Sequence, residues 1–153
     1  RELSSAIGIY GMLGGQMLDL LNDGKAIGEG TLHQINALKT GALIRASAKL
    51  GVTAAGGREE VLQAADQYAR QIGLAFQIVD DILDCTGDAA RLGKSIGSDA
   101  ENHKVTYAAL YGIAGAYERA GELTRKAREA IRGTELDGEF LNTLAEELLD
   151  RDH

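Results

Sequence analysis

Residues 61–85 read VLQAADQYARQIGLAFQIVDDILDC, and the spacing of their apolar side chains decides the fold. Leu62, Ala65, Tyr68, Ile72, Phe76, Val79 and Leu83 recur every three or four residues, which puts them in one stripe along a helix. The same period runs upstream through Leu3, Ile7, Tyr10, Leu13, Met17 and Leu20, stopping at Asn22-Asp23-Gly24, a plausible helix end. Thr31-Leu32-His33-Gln34 has the pattern of a capping box and predicts a helix ending near Gly51, with a loop over Thr53–Gly57. Lys104 to Ile131 predicts one helix or two, divided by Gly112, Gly115 or Gly121. Thr134 is the expected N-cap of a last helix through Leu149. Proline is absent and strand-forming residues never alternate for long, so the expected class is all-α, a bundle of roughly five helices.

Composition agrees with a folded chain of one domain or a large piece of one. Hydrophobic residues make up 44% and charged residues 25% of the 153, the balance of a globular protein. No apolar run approaches the roughly 20 residues of a membrane span. A net charge of −7 argues against nucleic acid as a partner and requires that any anionic substrate be bridged by cations. The single cysteine, Cys85, rules out an intrachain disulfide and suits a cytosolic compartment. The opening Arg1-Glu2-Leu3-Ser4 lacks Met and a signal-peptide pattern and reads as helix interior, so upstream sequence is expected.

Chemistry is concentrated in Phe76-Gln77-Ile78-Val79-Asp80-Asp81-Ile82-Leu83-Asp84. Asp80 and Asp84 lie four residues apart and so project from one helix face, where like charges repel by roughly 0.2–0.5 kcal/mol. Carboxylates inside an apolar run need compensation. Mg2+, a hard cation that takes one or two protein carboxylates and fills its other positions with water and phosphate, is the natural candidate. The alternative is a solvated face, against which the apolar neighbours on both sides argue. Lys39-Thr40-Gly41 in mid-helix supplies a point charge, a hydroxyl and a place for close approach, all suited to phosphate; an ordinary surface lysine is the plainer reading. From Thr86 to His103 the sequence reads as an irregular loop, with cations at Lys94 and Lys104 near the end of the carboxylate helix. Such a loop can close over a diphosphate or can be a charged surface loop. Gly14-Gly15-Gln16-Met17-Leu18-Asp19 weakens a helix, which points to close packing or to the wall of a binding site.

Taken in order, G-G-Q-x-x-D, K-T-G, F-Q-x-x-D-D-x-x-D and the two lysines resemble the trans-isoprenyl (polyprenyl) diphosphate synthases, the bacterial farnesyl diphosphate synthases in particular. The resemblance covers Arg1 to about Gly112 and corresponds to the C-terminal half of that domain. It implies an all-α bundle around a deep cavity, and a Mg2+-dependent, head-to-tail condensation of isopentenyl diphosphate with dimethylallyl or geranyl diphosphate. It implies Asp80, Asp81 and Asp84 as the metal set, with Asp80 a direct ligand, Asp84 acting directly or through water, and Asp81 in support. Lys39, Thr40, Gln77 and Lys94 would hold the allylic diphosphate, Lys104 would help close the lid, and Gln16 and Asp19 would line the cavity. A cytoplasmic homodimer is the implied full-length form. Cys85, His33 and His103 need no catalytic role. Ala108 stands where the family usually has proline. The first aspartate-rich motif and the cations for isopentenyl diphosphate belong upstream of Arg1, so the chain alone is expected to be inactive. Two other readings are a non-catalytic helical subunit that keeps the fold and a terpene-cyclase-like diphosphate lyase.

Overall fold

A computed structural model describes residues 1–86 and 105–151. Among these residues there is no strand. The elements are α1 (Glu2–Ile7), α2 (Met12–Leu21), α3 (Glu29–Asn36), a π-helical turn (Ala37–Gly41), α4 (Ala42–Ala54), α5 (Glu59–Thr86), α6 (Tyr107–Ile131) and α7 (Gly138–Asp150). The all-α class is as the apolar periodicity predicts, but the division differs. The stripe from Leu3 to Leu20 is two helices, because Gly8 is extended (ψ −170°) and Gly11 is non-helical.

Helix α5 is the axis of the fold. Its first turn carries Glu59 and Glu60, which complement the positive end of the helix dipole. Its buried face, Ala75, Ile78, Val79, Ile82 and Leu83, packs on Tyr107, Ala116, Ala120 and Leu123 of α6 and on Leu32 of α3. Alanines at 116, 120 and 127 keep the α6 ridge low, so the two long helices approach closely. Toward the start of α5, Tyr68 and Ile72 join Ala127, Ile131 and Ala145, and the Tyr68 hydroxyl donates to the Leu141 carbonyl at 2.6 Å. At the junction with α4, Val52 packs on Val61 and Ala65, and Arg45 makes two hydrogen bonds, of 2.8 and 2.7 Å, to the Asp66 carboxylate.

Two sequence expectations about helix caps are corrected here. Helix α3 starts at Glu29 after an extended Gly28 with no side-chain cap, so Thr31 lies inside the helix and no capping box forms. Thr134 does not cap the last helix. Its hydroxyl donates to the Ile131 carbonyl (2.7 Å) and accepts from Leu136 N (3.3 Å), while Asp137 caps α7 by accepting from Phe140 N at 3.1 Å. The stretch expected as one helix or two is, over Tyr107–Ile131, the single element α6 with a kink at Gly112, one of the three glycines expected to divide it, whose φ of 70° belongs to the left-handed region that glycine enters without strain.

One face carries unpartnered apolar side chains. On α1, α2 and their connection, Ile9 and Leu20 are each 72% exposed and Tyr10 is 86% exposed, beside Leu3, Leu13, Met17 and Leu21. These side chains include Leu3, Ile7, Tyr10, Leu13, Met17 and Leu20 of the expected stripe, so the stripe is largely exposed and not buried, more than a monomer's usual scattering of apolar groups. Among the described residues no helix is long and apolar enough to cross a membrane.

Candidate functional site

The π-helical turn is held between α2 and α5 by glycines. At Gly15 of α2 an added Cβ would fall 2.2 Å from Lys39 N and 2.6 Å from Lys39 Cα, so only a bare backbone fits against the turn. On the other side Gly73 of α5 faces Gly41, where a Cβ would sit 3.4 Å from Gly41 Cα. A π turn carries one residue more than an α turn and is often found at functional sites. Here it presents Lys39 and Thr40 to the two helices that grip it.

Lys39 Nζ donates to Asp19 Oδ2 at 2.7 Å, and Thr40 Oγ1 donates to Gln77 Oε1 at 2.9 Å. Gln77 and Asp80 are three residues apart on α5 and follow one another along its face. Asp19, Lys39, Gln77, Asp80 and Asp81 line one cleft together with Asn22, Asp23, Asn36 and Thr106. Asp81 is buried, and its Oδ2 accepts from Tyr107 N at 2.8 Å. Thr106, the N-cap of α6, accepts from Ala109 N at 3.1 Å. These two contacts tie the start of α6 to the carboxylate turn of α5. Burial, with the Asp81 carboxylate adding to it, pushes the Tyr107 phenol up to about 12.

The sequence-predicted residues fall into three groups. Asp19, Lys39, Gln77, Asp80 and Asp81 meet at the cleft, with Thr40 attached through Gln77. Asp84 is 1% exposed and is not part of the cleft lining, and Gln16 is exposed on α2 and also outside it. Lys94 and Lys104 lie outside the described residues.

Two further contributors were not singled out from the sequence. Asn36, buried at the end of α3, lies three residues before Lys39, and a polar residue at that helical spacing was a readable signal. Arg151, just past α7, has no such signal. Its Nη2 donates to the Phe76 carbonyl at 3.1 Å, its guanidinium carbon lies 4.1 Å from the Phe76 ring centre, and Nη2 is 3.5 Å from Asp80 Oδ1. Burial pushes Arg151 below its usual value, and the Asp80 charge opposes that shift.

Among the described residues no group of three or more His, Cys, Asp or Glu side chains could hold a metal ion. The cleft instead offers hard oxygen donors, with Asp80 the half-exposed carboxylate beside Gln77. That donor set fits a Mg2+ ion that draws one or two carboxylates from this chain and completes its shell with water and phosphate oxygens.

Residues 4–143 match the family model for polyprenyl synthetase. The chain is 46% identical over 154 residues to the farnesyl diphosphate synthase of Escherichia coli (strain K12), covering 98% of this chain and 52% of that protein. It is 46% identical over 136 residues to geranylgeranyl pyrophosphate synthase 9, chloroplastic, of Arabidopsis thaliana, covering 86% of this chain and 38% of that one. It matches the crystal structure of a geranyltransferase from Helicobacter pylori complexed with magnesium and isoprenyl diphosphate, with a TM-score of 0.80 at 29% identity, over 97% of this chain and 49% of that one. The chain thus spans about half the length, or less, of these relatives.

Proposed function

The chain belongs to the polyprenyl synthetase family, and on that premise we propose that residues 1–153 are the C-terminal half of a prenyl diphosphate synthase domain. The whole domain condenses isopentenyl diphosphate with dimethylallyl or geranyl diphosphate to give farnesyl diphosphate. The observation that carries this reading is the convergence of Lys39, Gln77 and Asp80 on one cleft from the π turn and α5.

In the reaction the allylic C–O bond breaks and its electron pair leaves with the diphosphate. The isopentenyl double bond then attacks the allylic carbon, and a proton is lost. The protein's task is to stabilise the charge that grows on the leaving group. Lys39 places an ammonium there, aligned by Asp19. Thr40 and Gln77, already bonded to each other, are the polar groups that orient the diphosphate oxygens, and Lys94 and Lys104 add cations. Bound Mg2+ supplies Lewis-acid charge neutralisation at the diphosphate. Asp80 would be its direct ligand in this half, with buried Asp84 acting through water and Asp81 fixing the turn. The Helicobacter pylori relative, solved with magnesium and isoprenyl diphosphate, supports this choice of metal and ligand.

No side-chain nucleophile is required. The first aspartate-rich motif belongs to the N-terminal half, as do the cations for isopentenyl diphosphate. The exposed apolar face on α1 and α2 supports a partner there, in a cytoplasmic enzyme that works as a homodimer.

The test is incubation with Mg2+, labelled isopentenyl diphosphate and geranyl diphosphate, with the chain mass checked in the same tube. Product is expected from the complete protein and not from the isolated 153 residues. Turnover by an intact 153-residue chain would overturn the half-domain reading. A complete protein that leaves both diphosphates untouched would overturn the reaction.

A further inference from the structure

Among the described residues the lining of the cleft holds the carboxylates Asp19, Asp23, Asp80 and Asp81 with one lysine, Lys39. Carboxylates this close together need counter-charge before any metal arrives. Arg151 supplies it from outside the lining. Its side chain is 17% exposed, whereas that of Asp80 is 41% exposed, so the cation is fixed in the protein and the carboxylate opens to the cleft. Arg151 is held by the Phe76 ring and the Phe76 carbonyl, one helical turn before Asp80. Its buried Nε has no hydrogen-bond partner among the described residues, so the anchoring comes from the ring, that carbonyl and the charge of Asp80.

We propose that Arg151 is a positioning residue, a resident counter-ion of Asp80, which orients that carboxylate in the metal-free state and competes with the divalent cation for it. This rests on the reading of Asp80 as a metal ligand. A guanidinium 3.5 Å from one carboxylate oxygen repels an ion seated on the same carboxylate. Its removal therefore favours the ion even as it frees the side chain. The arrangement makes α7 a part of the metal site, because Arg151 follows directly on its last residue, Asp150.

The experiment is calorimetric titration of Mn2+ into the complete protein, without substrate, for wild type, Arg151→Gln, Arg151→Lys, Asp80→Asn and the Gln/Asn double variant. Removing the charge in Arg151→Gln should tighten Mn2+ binding about two- to fivefold, the range of an ion pair partly open to water. Arg151→Lys keeps the charge but loses the planar stack on Phe76, so its Mn2+ affinity should fall between those of wild type and Arg151→Gln. In the Asp80→Asn background Arg151→Gln should have no further effect. Melting temperatures without metal are recorded alongside. If Gln and Lys variants both melt lower and bind Mn2+ like wild type, Arg151 is a packing residue and the inference fails. If Asp80→Asn itself leaves Mn2+ binding unchanged, the metal reading of Asp80 fails first and takes this inference with it.

Discussion

Replacing Gly15 by alanine tests the claim that a glycine contact sets the position of Lys39. A Cβ at residue 15 would lie 2.2 Å from Lys39 N, whereas ordinary contact begins at 3.4 Å, so α2 must retreat by about 1.2 Å. The atoms it meets are backbone, which has no rotamer to change. Overpacking of this kind costs about 1–3 kcal/mol, and a rigid neighbour puts Gly15→Ala near the upper end. Alanine returns about 1 kcal/mol through helix propensity, which leaves a net loss of about 2 kcal/mol. For a chain of this size that is a fall in Tm of roughly 4–8 °C, read by circular dichroism at fixed protein concentration. The same retreat lengthens the 2.7 Å Lys39–Asp19 bond beyond hydrogen-bond reach. Gly121→Ala is the control. Nothing lies within 4 Å of its added Cβ, so it should gain up to about 1 kcal/mol and raise Tm by roughly 2–4 °C. A Gly15→Ala protein that melts at or above wild type would refute the packing argument.

Three other outcomes follow from the geometry. Asp81→Ala leaves the buried Tyr107 N–H without its acceptor and should cost about 1–3 kcal/mol in urea unfolding, while Asp81→Asn, whose amide oxygen can still accept, should cost less; equal loss in both would show that the bond is not what matters. Absorbance titration of the five tyrosines should show two, Tyr68 and Tyr107, ionising only near 12. Because folding favours their neutral form, that contribution to stability is complete below the ordinary value of 10 and is lost as pH rises from 10 toward 12; ionisation of all five together near 10, with the fold intact, would contradict the burial. Light scattering on the isolated chain should show association through the exposed face of α1 and α2, and a stable monomer at high concentration would mean that face needs no cover.

What could be read from the sequence was what repeats locally. The stripe through Phe76, Val79 and Leu83 fixed α5 as a buried helix, and Gln77, Asp80 and Asp81 followed onto one cleft because helical spacing orders them. Helix ends were harder. Thr31 and Thr134 carry the chemistry of an N-cap, but a cap also requires non-helical backbone, and Gly28 and Asp137 take that position instead. The π turn has no signature in composition, since an extra residue leaves apolar content unchanged. Arg151 meets Phe76 across 75 positions of sequence, a contact made by the packing of α7 on α5 and by no local pattern.

The π turn also limits what a change of length can do here. Each α-helical residue turns the chain by about 100°, so one surplus residue in a regular helix would rotate everything before it relative to everything after; the wider π turn between Asn36 and Ala42 absorbs that residue and keeps the two flanks in register. With the surplus taken up in this way, Leu32 and Ile35 reach the core while Lys39 reaches Asp19. Deleting a single residue from Ala37–Gly41 would leave a regular α-helix with α3 still facing α5, but it would remove the bulge that presents Lys39 and Thr40. The length of this stretch is therefore tied to the site and not to the core, because the surplus residue sets where Lys39 meets Asp19 and Thr40 meets Gln77.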